Sequence, residues 1–326
     1  MNAVGKVAAA VALSAACQAA WCASADGSDY PSKPVHIFVP SSPGGASDVA
    51  ARLLGARLAE RLGQPFLVEN RVTSGGIVAT EQVARAAPDG YTLMMTFDTF
   101  ATNPYLYPEI RYDIIRDFMP VMLVARYPQV LVVHPSLNVH TLAEFVAYAR
   151  QHGATLNYGS AGPASSSRLA FELFKHEAGI EGTPVHYKGG GPAINDLLAG
   201  VVQVMLVQAG GSVQQSVRAG RLVALATSGA ERSSLFPGVP AIAETYPGFE
   251  TLSWVGLLAP AATPAPIIAK LHDAAAAALA GKEMQQKFAS QGGEVVASST
   301  QAFAAFIRSE SSKWAEVIHR LHITVN

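Results

Sequence analysis

The sequence predicts an α/β fold with mostly parallel sheets flanked by helices. Three observations predict it. Short runs of β-branched and apolar residues alternate with stretches of helical periodicity along most of the chain. The strand runs are apolar throughout, as expected of strands covered by helices on both faces. Glycine- or serine-rich turns follow several of these runs and open helices, the layout of a crevice at the carboxyl edge of an open sheet.

The elements follow in order. Strands are expected at 35–39, 66–68, 92–96, 121–125, 130–133, 156–159, 185–187, 201–207 and 222–226. Helices are expected at 48–62, 76–86, 142–151, 166–178, 193–199, 264–280, 283–290 and 301–321. Gly63-Gln64-Pro65 stops the first helix, and Pro88-Asp89-Gly90 closes the second and opens a strand. Leu169, Leu173 and Phe174 give the helix at 166 one apolar face, and Pro192 suits the start of the helix after it. Ala274 to Ala278 is strong helix former.

Residues 1–25 stand apart. Lys6 precedes an alanine-rich apolar run from Val7 to Ala20, followed by Ala23-Ser24-Ala25. This is the pattern of a cleaved secretory leader, and its apolar part is shorter than the ~20 residues that cross a bilayer. Ser14-Ala15-Ala16-Cys17 faintly resembles a lipidation site, with Ser14 where leucine is favoured. Cleavage after Ala25 removes both cysteines, Cys17 and Cys22, leaving no disulfide or thiol chemistry.

Only 14% of residues are charged and the formal net charge is −1, which argues against a nucleic-acid partner. A hydrophobic content of 50% and a mean hydropathy of +0.23 suit a large buried core. About 300 residues approach the size at which one core splits in two. No long linker is present, so two lobes would be joined through strands. The crossing candidates are 121–133, interrupted near Pro128, and 252–259, two β-type hinge crossings that would let lobes close on a ligand. The expected division is 26–125 with 255–326 in lobe 1 and 126–254 in lobe 2.

The loop Pro40-Ser41-Ser42-Pro43-Gly44-Gly45-Ala46-Ser47-Asp48 lies between a strand and a helix. Its glycines permit a sharp turn and close approach of a ligand, and the helix start offers free N–H groups and partial positive charge. The alternative is a turn that needs glycine for geometry alone. Asp48 would repel a bound anion and is read as structural, in the first helical turn. A second loop, Ser160-Ala161-Gly162-Pro163-Ala164-Ser165-Ser166-Ser167-Arg168, repeats the layout. Its hydroxyls can donate to an anion and Arg168 could pair with a carboxylate; alternatively a serine caps the helix and Arg168 is solvated. Tyr187-Lys188-Gly189-Gly190-Gly191-Pro192 and Gln208-Ala209-Gly210-Gly211-Ser212 are further turns of this kind. Asp98 ends another strand and would suit a cationic or hydroxyl group, or cap the loop. Phe97 and Phe100 beside it allow an aromatic ligand.

Enzyme signatures are missing. Gly159-Ser160-Ala161-Gly162 lacks nucleophile-elbow spacing, and no phosphate loop or dinucleotide fingerprint occurs. His319 and His322 have no carboxylate or thiol to complete a metal set. No catalytic residue, metal or cofactor is expected.

An ordered set of short motifs carries a resemblance over essentially the whole chain after the leader. They are Tyr30-Pro31-Ser32-Lys33-Pro34, the loop 40–48, Leu62-Gly63-Gln64-Pro65, Val68-Glu69-Asn70-Arg71, Ala87-Pro88-Asp89-Gly90-Tyr91-Thr92-Leu93, Asp117-Phe118-Met119-Pro120-Val121, Leu156-Asn157-Tyr158-Gly159-Ser160-Ala161-Gly162 and Tyr187-Lys188-Gly189-Gly190-Gly191-Pro192-Ala193. The chain resembles the Bug-type substrate-binding proteins of tripartite tricarboxylate transporters. The resemblance implies a two-lobed Venus-flytrap periplasmic binding protein, without catalysis, that holds a small carboxylate between its lobes. Carried over, the first loop contributes Ser42, Pro43, Gly44, Gly45 and Ser47, and the second Ser160, Ala161, Ser165 and Ser166. With Asp98, Arg168, Gly189 and Gln208 these form the expected ligand site. The sequence departs from the family pattern at Ala164-Ser165, Arg168, Gln203 and the stretch 72–76, partly near the cleft, which leaves the ligand open. The expected partners are a small anionic solute and the membrane permease subunits, with the receptor monomeric in the periplasm. Two other functions stay open: a ligand sensor for a membrane kinase, and a secreted hydrolase using Ser160 or Ser165.

Overall fold

Strand β1 (Val35–Val39) buries Val35, Ile37 and Val39 completely and sets the pattern for the first half of the molecule. The computed structural model describes residues 29–72 and 74–325, so the leader read in residues 1–25 lies outside the described residues. Strands β2 (Phe66–Asn70) and β3 (Thr92–Phe97) pair with β1 in parallel on either side. Helix α1 (Ala46–Leu62) covers them with Ala50, Ala51, Leu54 and Leu58, and stops at Gly63, whose left-handed backbone ends the helix. Two short helices follow, α2 (Ile77–Ala84) and α3 (Thr99–Leu106).

Strand β4 (Phe118–Val133) is one continuous strand where the sequence suggests two. Pro128 explains both the expectation and the outcome. It is the last β4 residue paired with strand β9 (Leu252–Pro260), and Gln129 is the first paired with β7 (Val204–Gln208). The amide that proline lacks therefore falls where the strand changes partners, a position a central strand can tolerate.

The second half repeats the parallel arrangement with β5 (Asn157–Ser160) between β6 (Thr183–His186) and β7. Strand β8 (Val223–Thr227) joins β4 antiparallel, as does the two-residue β10 (Glu294–Val295). The strand path is β2-β1-β3-β9-β4-β7-β5-β6. Parallel pairs thus occupy the two ends of a mixed sheet, and the crossing strands β4 and β9 supply the antiparallel pairs between them. Helices α4 (Leu142–His152), α5 (Ser166–Ala178), α6 (Gly190–Leu198) and α7 (Gly211–Arg218) belong to this half.

The chain then returns through β9 to α8 (Ala265–Leu279), α9 (Lys282–Ser290) and the terminal helix α10 (Thr300–Arg320). Phe303 and Ile307 of α10 pack with Phe100, Phe118 and Trp254 of the first half. Trp314, Val317 and Ile318 pack with Phe145, Phe171 and Phe174 of the second. One helix therefore spans both cores, although the expected boundaries assign it to one lobe.

A buried polar knot ties the crossings together. The Gln129 amide donates to Ser228 Oγ at 2.9 Å, the Ser228 amide to Gln129 O at 2.9 Å and the Thr251 amide to Ser228 O at 2.9 Å. Ser228 Oγ donates in turn to the Thr251 carbonyl. Backbone that changes sheets here keeps its hydrogen bonds, so a bend between halves need not strand buried polar groups. Among the described residues no helix is long and apolar enough to cross a membrane.

Candidate functional site

The register of β1 against β3, with Phe38 opposite Met94, brings their carboxyl ends side by side. The loop after β1 and the Asp98 that follows β3 therefore leave the same edge of the sheet. Ser42, Pro43, Gly44 and Gly45 are all exposed, and Ser41 before them is half-buried. Gly44 takes φ +83°, where a side chain would be strained, and a Cβ there would touch nothing. Gly45 is the N-cap of α1 and offers no capping side chain, so first-turn amides stay available.

Asp48 holds this loop from within. It is buried, and its carboxylate accepts from the Gly44 amide at 2.8 Å, from Arg52 Nε at 3.0 Å and from Asn70 Nδ2 at 3.0 Å. Burial pushes its pKa up, but these donors outweigh it and hold the group below the usual carboxylate range. Asn70 Nδ2 also donates to Ser41 O at 3.0 Å, and the Ser41 and Ser47 hydroxyls meet at 2.6 Å. Asp48 and Asn70 thus act as a buried brace. Sequence reasoning found the first as structural and had no signal for the second beyond its place in a motif.

The loop after β5 is largely self-contained. Ser165 Oγ caps α5 by accepting from the Arg168 amide at 3.4 Å and donates to Gly162 O at 2.7 Å. The Ala161 amide donates to Ser167 Oγ at 2.9 Å. Ser160 is fully buried, with its hydroxyl 2.7 Å from His186 Nδ1. Gly189, at φ +112°, donates its amide to Ala161 O at 3.0 Å and joins the β6 turn to this loop. Gln208 is half-buried at the end of β7, opposite Gln129. Because the cap serves only the third amide of α5, the first-turn amides of Ser166 and Ser167 have no helical partner.

The Arg168 guanidinium goes elsewhere than a cleft carboxylate. Its Nη1 donates to Pro163 O at 2.6 Å and to Thr324 O at 2.6 Å, fastening the chain terminus to the loop. Backbone carbonyls gather there because the chain after α10 ends beside α5. Phe100 likewise turns inward, 2% exposed and edge-on to Phe118 at 5.1 Å, so it belongs to the core. Phe97 packs at the margin of the other core cluster of this half.

The two halves meet at Asp98. Its carboxylate accepts from Ser253 Oγ on β9, and the Ser166 hydroxyl from the β5 loop and the Thr99 amide also stabilise it. Asp98 is 5% exposed. Burial pushes its pKa up to about 6 against those donors, and the Glu310 carboxylate adds repulsion. Beside it lies a cavity of about 10 Å³, room for about one water, lined by Asp98, Thr102, Gln129, Ser166, Thr251 and Trp314. Ser253 and Glu310, which surround Asp98, carry no local motif that would mark them.

The Ser160–His186 contact supplies the base that a hydrolase would need and that the sequence did not reveal. The serine, however, has no exposed surface. Burial also holds the imidazole below its usual pKa, with Arg168 adding to the effect. No group of three or more histidine, cysteine or acidic residues with metal-ligand geometry occurs among the described residues.

A two-lobed periplasmic-binding-protein fold with glycine and serine loops at the carboxyl ends of parallel strands is the class this architecture defines. The model of the tripartite tricarboxylate transporter family receptor, TctC, matches residues 50–323, and the chain belongs to that family. It is 36% identical over 292 residues to protein BugT of Bordetella pertussis, covering 89% of each chain. The structure superposes with a TM-score of 0.83 on R. palustris Rpa4515 solved with adipate, at 35% identity, covering 90% of this chain and 99% of that one. MatC of Rhodopseudomonas palustris with bound malate gives 0.79 at 33% identity, covering 89% of this chain and 100% of that one.

Proposed function

We propose that the protein is a periplasmic receptor that captures a small carboxylate in its interlobe cleft and delivers it to the permease subunits of a tripartite transporter. The ligand is bound and not transformed, and the receptor works as a monomer. Ser42, Pro43, Gly44, Gly45 and Ser47 would hold the carboxylate from one side through backbone amides and hydroxyls. Ser166, with the first-turn amides of α5, would meet it from the other. Ser160, Ala161, Ser165 and Gly189 shape that second loop, and Gln208 and Asp98 border the gap.

The observation that carries the reading is the small cavity that Asp98 and Ser166 line together. It lies between the ends of β3 and β5, from separate halves, at the edge where glycine and serine loops emerge. The adipate and malate complexes of two relatives support a carboxylate as cargo. Each hydrogen bond to a charged group adds roughly 1.5–3 kcal/mol net. A few of them, less the cost of ordering, give about −8 kcal/mol, a micromolar dissociation constant. Binding that favours the closed form would present a distinct surface to the permease.

Titration calorimetry of ligand-free protein against mono-, di- and amino-carboxylates should yield at least one ligand of roughly micromolar affinity. Folded protein that responds to no carboxylate would contradict the proposal.

A further inference from the structure

We propose that Asp98 sets the ligand class: the cleft takes a carboxylate that also bears an ammonium group, with the ammonium meeting Asp98. This narrows the carboxylate-receptor reading and rests on it.

Asp98 is the one charged residue among those lining the cavity between the halves. It accepts from Ser253 on the crossing strand and shares the cavity lining with Ser166 of the opposite loop. Both are hydroxyls, which donate hydrogen bonds without supplying positive charge. No positive side chain of the described residues is among the groups that act on Asp98. Lys313 Nζ is 2.9 Å from Glu310 Oε1, and Trp314 Nε1 donates to Glu310 Oε2 at 3.2 Å. Arg168 is bound to Pro163 O and Thr324 O. Glu310 is itself 8% exposed and adds negative potential at Asp98.

A buried carboxylate without a cation is costly, and the cost falls when a positive group arrives. A second carboxylate of a ligand placed here would meet the Asp98 carboxylate, which has no ion-pair partner among the described residues. An ammonium would neutralise Asp98, displace water from the small cavity and leave the ligand carboxylate for the glycine and serine loops. A ligand hydroxyl would satisfy the geometry without the charge. Burial is the main cause of the raised Asp98 pKa, and Glu310 adds to it.

The test is calorimetry at pH 7.5 with triplets that share a skeleton: alanine, lactate and propionate; aspartate, malate and succinate; phenylalanine, 3-phenyllactate and 3-phenylpropionate. In at least one triplet the amino member should bind about tenfold more tightly than either of the others. Asp98→Asn should cut that preference to less than about threefold by weakening the binding of the amino member. Wild-type protein at pH 5, where Asp98 is largely protonated, should lose most of the preference too, which tests the idea if the variant fails to fold. Amine-free acids that bind as tightly as their amino partners would overturn the assignment while leaving the carboxylate-receptor reading intact. So would a preference that survives Asp98→Asn. Binding by no member of any triplet would remove both.

Discussion

Gly256→Val is expected to lower the melting temperature by roughly 10 °C or to leave the protein insoluble. Gly256 lies in the crossing strand β9, opposite Thr96 of β3 on one side and Leu123 of β4 on the other. A Cβ added there would come within 2.1 Å of Phe303 Cζ, and within 2.9 Å of two more ring atoms. The ring cannot move aside. Phe303 is fully buried and packs edge-on against Trp254 at 5.8 Å. The backbone must shift instead, and it belongs to the strand that links the halves. Overpacking of this kind costs about 3 kcal/mol or more when neither partner can yield. Gly281→Ala is the control, since its nearest contact would be the Ala278 carbonyl at 3.9 Å. Differential scanning calorimetry should show that variant within about 2 °C of wild type. A Gly256→Val protein as stable as wild type would mean that the packing of α10 on β9 is looser than described.

Asp98→Asn should have the opposite sign and make the ligand-free protein more stable at neutral pH. The carboxyl is raised from 3.8 to about 6 when folded. Between those values the folded state holds a proton that the unfolded state has lost, so stability falls as pH rises through the window and is flat above it. The shift corresponds to about 3 kcal/mol at pH 7.5. Wild-type and variant melting curves should therefore differ most at pH 7.5 and converge toward pH 4. Other groups titrate in both proteins, so the difference isolates Asp98. An Asp98→Asn protein that is less stable at pH 7.5 would show that the carboxylate is better compensated than its surroundings indicate. A group that weakens the free protein at its working pH is expected where a ligand supplies what the fold omits.

Much of this fold can be read from local chemistry. Helix α5 begins at Ser166 and ends at Ala178, as capping and periodicity require, and Gly63 ends α1. The helix over Thr99–Leu106 is not readable, because Pro104 interrupts it and eight residues carry little periodicity. Packing on α10, including the Tyr105 and Ser311 hydroxyls 2.6 Å apart, supplies what propensity lacks. Helix α7 escapes notice for a related reason: it is polar apart from Val213 and Val217. The continuity of β4 is hidden by Pro128, whose harmlessness depends on two distant partner strands.

The site divides in the same way. Its glycine and serine loops are local features and stand out in the sequence. The surroundings of Asp98 are not local: Ser253 lies 155 residues away along the chain, and Glu310 lies on a helix shared by both cores. Arg168 shows the converse. Its position in a loop suggests an anion partner, yet the fold brings Thr324 O to it first.

A crystal structure of the protein with a bound carboxylate tests the central claim most directly. The ligand oxygens should lie about 2.7–3.2 Å from amides or hydroxyls of both loops, residues 42–47 on one side and 160–167 on the other. A ligand held by one loop alone, or seated outside the gap between β3 and β5, would contradict the account.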